Sequence, residues 1–220
     1  MLFCTAAPAQ SANLYIAGGG GYVGDGAGNG GDLSFNVAGT LDISSQDTFL
    51  GLVGTSAWNG ATGVNLGTVS IGDGTTGRTF TLVGNGGFSV AGLRVTGKGN
   101  FLSNDTSSNF DLTGTALTFD LTNVSAGDIL LIAPGTGTVD LSNTTVALRD
   151  NASTNVVPGE QVTLIDGNIA GTNLPSGNIT TDYMGKTYAI NTIAGAGGSL
   201  IATLTNPGVL HEHYKAYAEG

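Results

Sequence analysis

The chain has 220 residues, enough for one substantial domain or one length of an elongated one, and carries 6 Lys plus Arg against 16 Asp plus Glu, a formal −10. So acidic a surface, with no basic patch to interrupt it, repels phosphate backbones and excludes a nucleic-acid partner. Only 10 % of the residues are charged and 38 are Gly, yet short clusters of Val, Ile, Leu and Phe recur throughout and can bury a core, which excludes a disordered low-complexity chain.

Each Gly inside a regular element costs about 0.5–1 kcal/mol relative to Ala, so this many are tolerable only where turns need positive φ. A fold with very many turns follows. The first residues, Met1 to Ala12, read MLFCTAAPAQSA, with a small-residue Ala7-Pro8-Ala9 step like a signal-peptidase site. No basic n-region precedes it and the apolar stretch is short, so residues 1–12 read as a signal stub or a linker, and a start inside a larger protein is favoured. Cys4 is the single cysteine. A lack of Cys pairs suits export through an oxidising compartment. No run of about 18 apolar residues is present, so no transmembrane helix is expected.

From residue 13 onward, alternating apolar residues sit between clusters of Gly, Asn, Asp, Ser and Thr. In chain order they are Leu33, Phe35 and Val37; Leu41 and Ile43; Val64 and Leu66; Val69 and Ile71; Phe80 and Leu82; Phe88 and Val90; and Leu93 and Val95. Phe110 and Leu112, then Leu117, Phe119 and Leu121, Val139 and Leu141, Val146 and Leu148, and Val162 and Leu164 continue the series. Each cluster predicts a short strand with one apolar face. Asn29-Gly30, Asn59-Gly60, Asp73-Gly74, Asn85-Gly86 and Asp166-Gly167 supply the turns. The expected class is all-β. Strands this short, scarce charge, and Asn, Thr and Ser recurring at similar places favour a parallel β-solenoid with stacked ladders over a sandwich or barrel. Rungs of ~20–25 residues predict roughly nine turns in a rod of about 40–45 Å.

Rungs are expected over 13–180 and a cap or last rungs over 181–206, where Tyr183, Lys186 and Tyr188 read as a hairpin-like cap shielding the last edge. Residues 207–220 read as the start of a helix. Asn206 is placed to cap it, Pro207 opens it, and Leu210, Tyr214 and Tyr217 share one face.

No residue earns a catalytic, cofactor or metal role. Gly26-Ala27-Gly28-Asn29-Gly30-Gly31 satisfies GxGxxG, but the segment after it reads as a strand, so a loop is the better reading. Asp25, Asn29 and Asp32 form one imperfect copy of a calcium-turn pattern that needs several. His211 and His213 point about 200° apart on a helix and cannot share a metal ion, while Glu212 completes no HExxH. No Ser-His-Asp triad assembles, because both His lie in the terminal segment. Asp105, Asp111 and Asp120 could lie on neighbouring rungs in the manner of β-helix lyases and glycosidases. With only Arg78, Arg94, Lys98 and Arg149 in the body to hold a sugar, turn or surface aspartates are the better reading. Trp58 is the only Trp for an aromatic platform.

The stretch FDLTGTALTFDLTNVSAGDILLIAPGTGTVDLSNTTVAL (110–148), followed by VVPGEQVTLIDG (156–167), resembles the C-terminal part of an autotransporter passenger. Lys215-Ala216, Ala218-Glu219 and Gly220 resemble that family's linker helix. The resemblance covers residues 105–220 and implies a right-handed parallel β-helix with a capping region and a short C-terminal helix. It implies a surface stalk and folding nucleus supporting adhesion or display, not an enzyme. The partners it implies are the protein's own C-terminal outer-membrane barrel, absent from this chain, and a host surface or other cells. The place it implies is the cell surface. His211-Glu212-His213-Tyr214 departs from the usual linker wording. A secreted β-helix carbohydrate-active enzyme or a carbohydrate-binding module is the alternative.

Overall fold

The computed structural model describes residues 35–43, 48–51, 64–83, 88–104, 110–133 and 137–208. Among them the chain is all-β, in fifteen strands. In the first part these are β1 (Phe35–Ile43), β2 (Thr48–Gly51), β3 (Val64–Ile71), β4 (Thr79–Val83), β5 (Phe88–Thr96), β6 (Asn100–Asn104) and β7 (Phe110–Asp111). The rest are β8 (Ala116–Asp120), β9 (Ile129–Ala133), β10 (Val139–Asp140), β11 (Thr145–Arg149), β12 (Gln161–Ala170), β13 (Gly177–Thr180), β14 (Thr187–Ile193) and β15 (Gly195–Asn206).

One sheet runs β1-β3-β5-β8-β11, parallel throughout. A second runs β2-β4-β6-β9-β12, also parallel, and continues through β15, β14 and β13 with antiparallel pairing. A short third row stacks β7, β10 and the end of β12. Neither sheet closes into a barrel. From β5 to β9 each strand pairs with the third strand after it: β5 with β8, β6 with β9, β7 with β10, β8 with β11 and β9 with β12.

Register explains why the apolar clusters recur. Val69, Leu93, Leu117 and Val146 are successive partners in the first sheet, as are Ile71, Val95, Phe119 and Leu148. Apart from half-buried Val146, all of these are buried. A one-residue slip would turn each column to the outside, so the period-two pattern fixes the pairing. Each buried Leu or Phe contributes about 1.5–3 kcal/mol by leaving water. In the second sheet Phe80 stacks on Leu102, and Leu131 on Ile165, all four fully buried.

Two expectations need correction. Partners are 22 residues apart between Thr79 and Phe101, within the expected ~20–25, but 29 apart between Phe110 and Val139 and 34 apart between Ile129 and Thr163, so the return distance exceeds the expectation over much of the later chain. The third row and the turns beside it consume the difference. The helix expected over 207–220 does not begin where the sequence places it. Asn206 ends β15, and although its Oδ1 accepts the Gly208 N–H at 2.9 Å, Gly208 has φ +81°, a left-handed conformation that cannot start an α-helix. Residues 209–220 lie outside the described residues.

Candidate functional site

Polar side chains gather in two places, the turns between rows and a buried cluster at the end of the stack. The turns repeat one wording: Asp111-Leu-Thr-Gly-Thr115, Asp120-Leu-Thr-Asn-Val124 and Asp140-Leu-Ser-Asn-Thr144. In each, the Asp Oδ1 accepts the N–H two residues on, at 2.9 Å from Thr113, 3.2 Å from Thr122 and 2.9 Å from Ser142. The Leu is fully buried, and its carbonyl accepts the N–H of the fifth residue at 3.0, 3.1 and 3.3 Å. The fourth residue adopts positive φ: Gly114 at 69°, Asn123 at 57° and Asn143 at 55°. Short polar Asn and Gly are the residues that visit this region at least cost.

These turns stack on one another. The Leu112 N–H donates to the Asp140 carbonyl, and the Leu141 N–H to the Ala170 carbonyl. Asn173, also at positive φ, donates through Nδ2 to Asn143 Oδ1 at 2.9 Å, a rung of an asparagine ladder. On another edge the Asn123 N–H donates to Ser153 Oγ, and Asn151 Nδ2 to Thr122 Oγ1. Asp73 follows the same logic on the surface. The N–H groups of Thr76 and Thr75, then the Thr75 hydroxyl and Arg78, hold its carboxyl well below the usual range.

The second arrangement joins the β13–β14 hairpin to the end of the first sheet. Asp150, the residue after β11, has a side chain with no exposure to water. Its Oδ1 accepts the Asn151 N–H at 2.7 Å, and its Oδ2 accepts the Tyr188 hydroxyl at 2.6 Å and pairs with Lys186 Nζ at 3.2 Å. Tyr188 is fully buried on β14, and burial followed by the Asp150 carboxylate pushes its phenol well above the usual range. Lys186 closes the turn of the β13–β14 hairpin, with its ammonium 5.4 Å from the centre of the Tyr183 ring.

The structure therefore places Tyr183, Lys186 and Tyr188 in a hairpin, Tyr188 inside it and Lys186 half-way in, and adds Asp150 as their shared partner. Sequence reading missed Asp150, because its partners lie 36 and 38 residues further on and nothing local marks it. Asp111 and Asp120 do not converge. Asp111 is aligned with Asp140 in the third row, Asp120 with Arg149 in the first sheet, and each is engaged by its own turn. Asp120 also pairs with Arg94 at 3.2 Å. Asp105, the 26–31 glycine run, Asp25, Asn29, Asp32, Trp58, His211, Glu212 and His213 lie outside the described residues. Among the described residues, no group of three or more His, Cys, Asp or Glu side chains is placed to share a metal ion.

Comparison with protein-family models, with curated proteins and with solved structures gives no match for the chain.

Proposed function

We propose that the chain is a length of right-handed parallel β-helix from the surface-exposed passenger of an autotransporter, a structural stalk that supports adhesion or display. Three features support the helical winding. Parallel pairing returns to the second strand on from β1 to β4 and to the third from β5 to β9, the turns of successive layers bond to one another, and like apolar residues stack in register. Right-handedness follows from the twist that makes parallel crossovers right-handed in nearly all cases. The observation that carries the passenger reading is the order of parts. A parallel stack passes into the antiparallel strands β15, β14 and β13, whose inner residues Tyr188, Ile190, Leu200, Ala202 and Leu204 are buried. These strands stand directly before the segment that resembles the family's linker, where a terminal cap and folding nucleus belongs.

A display experiment tests this. Residues 1–220 are placed between a signal peptide and an autotransporter barrel stripped of its own adjoining rungs, in a Gram-negative host. The expected result is labelling of intact cells by antibody to the chain, with residues 88–206 resistant to external protease. Retention in the periplasm behind a correctly inserted barrel would overturn the proposal.

A further inference from the structure

We infer that Asp150, Lys186 and Tyr188 form a latch that holds the β13–β14 hairpin closed over the end of the parallel stack, and that the hairpin opens as a unit when the charges are unbalanced. This does not depend on the passenger reading, since it rests on the geometry of the three side chains alone. Asp150 directly follows the last strand of the first sheet, while Lys186 and Tyr188 come from the hairpin, so the cluster bridges two pieces of chain that share no backbone ladder. β11 pairs only with β8 among the described strands, and β13 only with β14. Among the described residues, Asp150 supplies the side-chain hydrogen bond and the ion pair that join the hairpin to β11.

The Asp150 carboxylate has no contact with water and Lys186 little, so each charge is tolerable only beside the other. Remove one, and the survivor needs solvent. The least costly relief is local. The turn from Thr181 to Lys186 is closed by its own bonds, the Thr181 N–H donating to the Lys186 carbonyl at 2.8 Å, and can swing outward as a piece. The β14–β15 ladder parts as the hairpin leaves, and the parallel layers below keep their own hydrogen bonds. An opened hairpin uncovers Tyr188, Ile190 and the edge of β11.

Hydrogen exchange read by mass spectrometry on the full chain tests this with Asp150→Asn, Lys186→Met and the double variant. In each single variant the amides of β13 and β14 are expected to exchange roughly tenfold faster or more, with β5, β8 and β9 unchanged. In the double variant, where no lone charge remains, protection of the hairpin is expected to return. Exchange raised equally across all strands, singles without effect, or a double variant as open as the singles would each overturn the latch. Should Asp150→Asn fail to fold, Lys186→Met alone against the double variant carries the same test, since restoration by removing the second charge is the deciding result.

Discussion

Asn100 reaches four backbone groups with a side chain that water does not reach, the two Nδ2 hydrogens being shared among three carbonyls. Its Oδ1 accepts the Arg78 N–H, and its Nδ2 donates to the carbonyls of Thr96, Gly97 and Leu130, at 3.0 to 3.3 Å. The backbone groups it serves lie on three successive stretches of chain, so it replaces ladder bonds where the strands part at a corner. An Asn100→Leu substitution keeps the volume and leaves those groups orphaned, and is expected to cost about 1–3 kcal/mol in urea unfolding with an unchanged m-value. Tyr188 gives a pH signature. Its folded phenol is raised above its unfolded value, so its contribution is fully present below the ordinary tyrosine range of about 10 and is lost as pH rises past it, when the unfolded chain ionises first. Tyr188→Phe is therefore expected to be less stable at neutral pH, yet to lose less on going from neutral to alkaline solution than the wild type, read as Tm against pH. Asn100 was not legible in the sequence, and Tyr188 was legible only as part of a hairpin-like cap, without its partner Asp150. One polar residue among 220 shows its role only when strands distant along the chain are brought beside it.

At the scale of the element, the repeated five-residue turn is the most informative unit. Its Asp bends the chain by accepting an amide two residues on, its Leu anchors the bend in the core, and its fourth residue must tolerate positive φ. Asn143→Gly is expected to be nearly neutral and Asn143→Ala to cost about 1–2 kcal/mol from the left-handed conformation, with some further loss from the broken contact to Asn173. Thermal unfolding of the two variants side by side separates backbone from side chain. A glycine is required for a different reason at Gly97, where φ is +72° and a Cβ would stand 2.6 Å from the Gly74 Cα of the layer beside it. Gly97→Ala should force the two turns apart and lower Tm more than Asn143→Ala does.

The strands between these turns were partly readable, the turns much less so. Of the Asn-Gly and Asp-Gly pairs expected to turn the chain, Asp73-Gly74 does, whereas Asp166-Gly167 runs inside β12, where Gly167 pairs across both neighbouring strands. Asn29-Gly30, Asn59-Gly60 and Asn85-Gly86 lie outside the described residues. Period-two apolar pairs predicted β3, β5, β8 and β11, because one face of each is buried and the other is not. β9 was not marked, since Ile129-Leu-Leu-Ile-Ala133 has no alternation, and neither was β15, whose first residues Gly195-Ala-Gly-Gly-Ser199 lack an apolar face. The Asp-centred turn left a signal in three copies of similar wording. That Asp111 and Asp120 do not meet follows only from the register, which aligns Asp111 with Asp140 and Asp120 with Arg149.

For the whole molecule, charge and open edges act together. With 16 acidic residues against 6 basic, mutual repulsion keeps copies apart at neutral pH and fades towards the isoelectric point near 4.1. An edge strand presents unpaired backbone groups that a second chain can extend, and β13 ends the second sheet with Gly177, Asn178 and Thr180 exposed. Light scattering is therefore expected to rise as pH is lowered to about 4 and to fall again on re-neutralisation. Two lysine substitutions distinguish edge pairing from mere loss of repulsion. Asn178→Lys places a charge on the β13 edge, whereas Ala116→Lys places the same charge at an exposed position of β8, an inner strand of the other sheet. Both shift the net charge equally. If association proceeds by strand addition at β13, Asn178→Lys suppresses the scattering well beyond Ala116→Lys. If the two variants behave alike, charge alone governs association and the β13 edge takes no part.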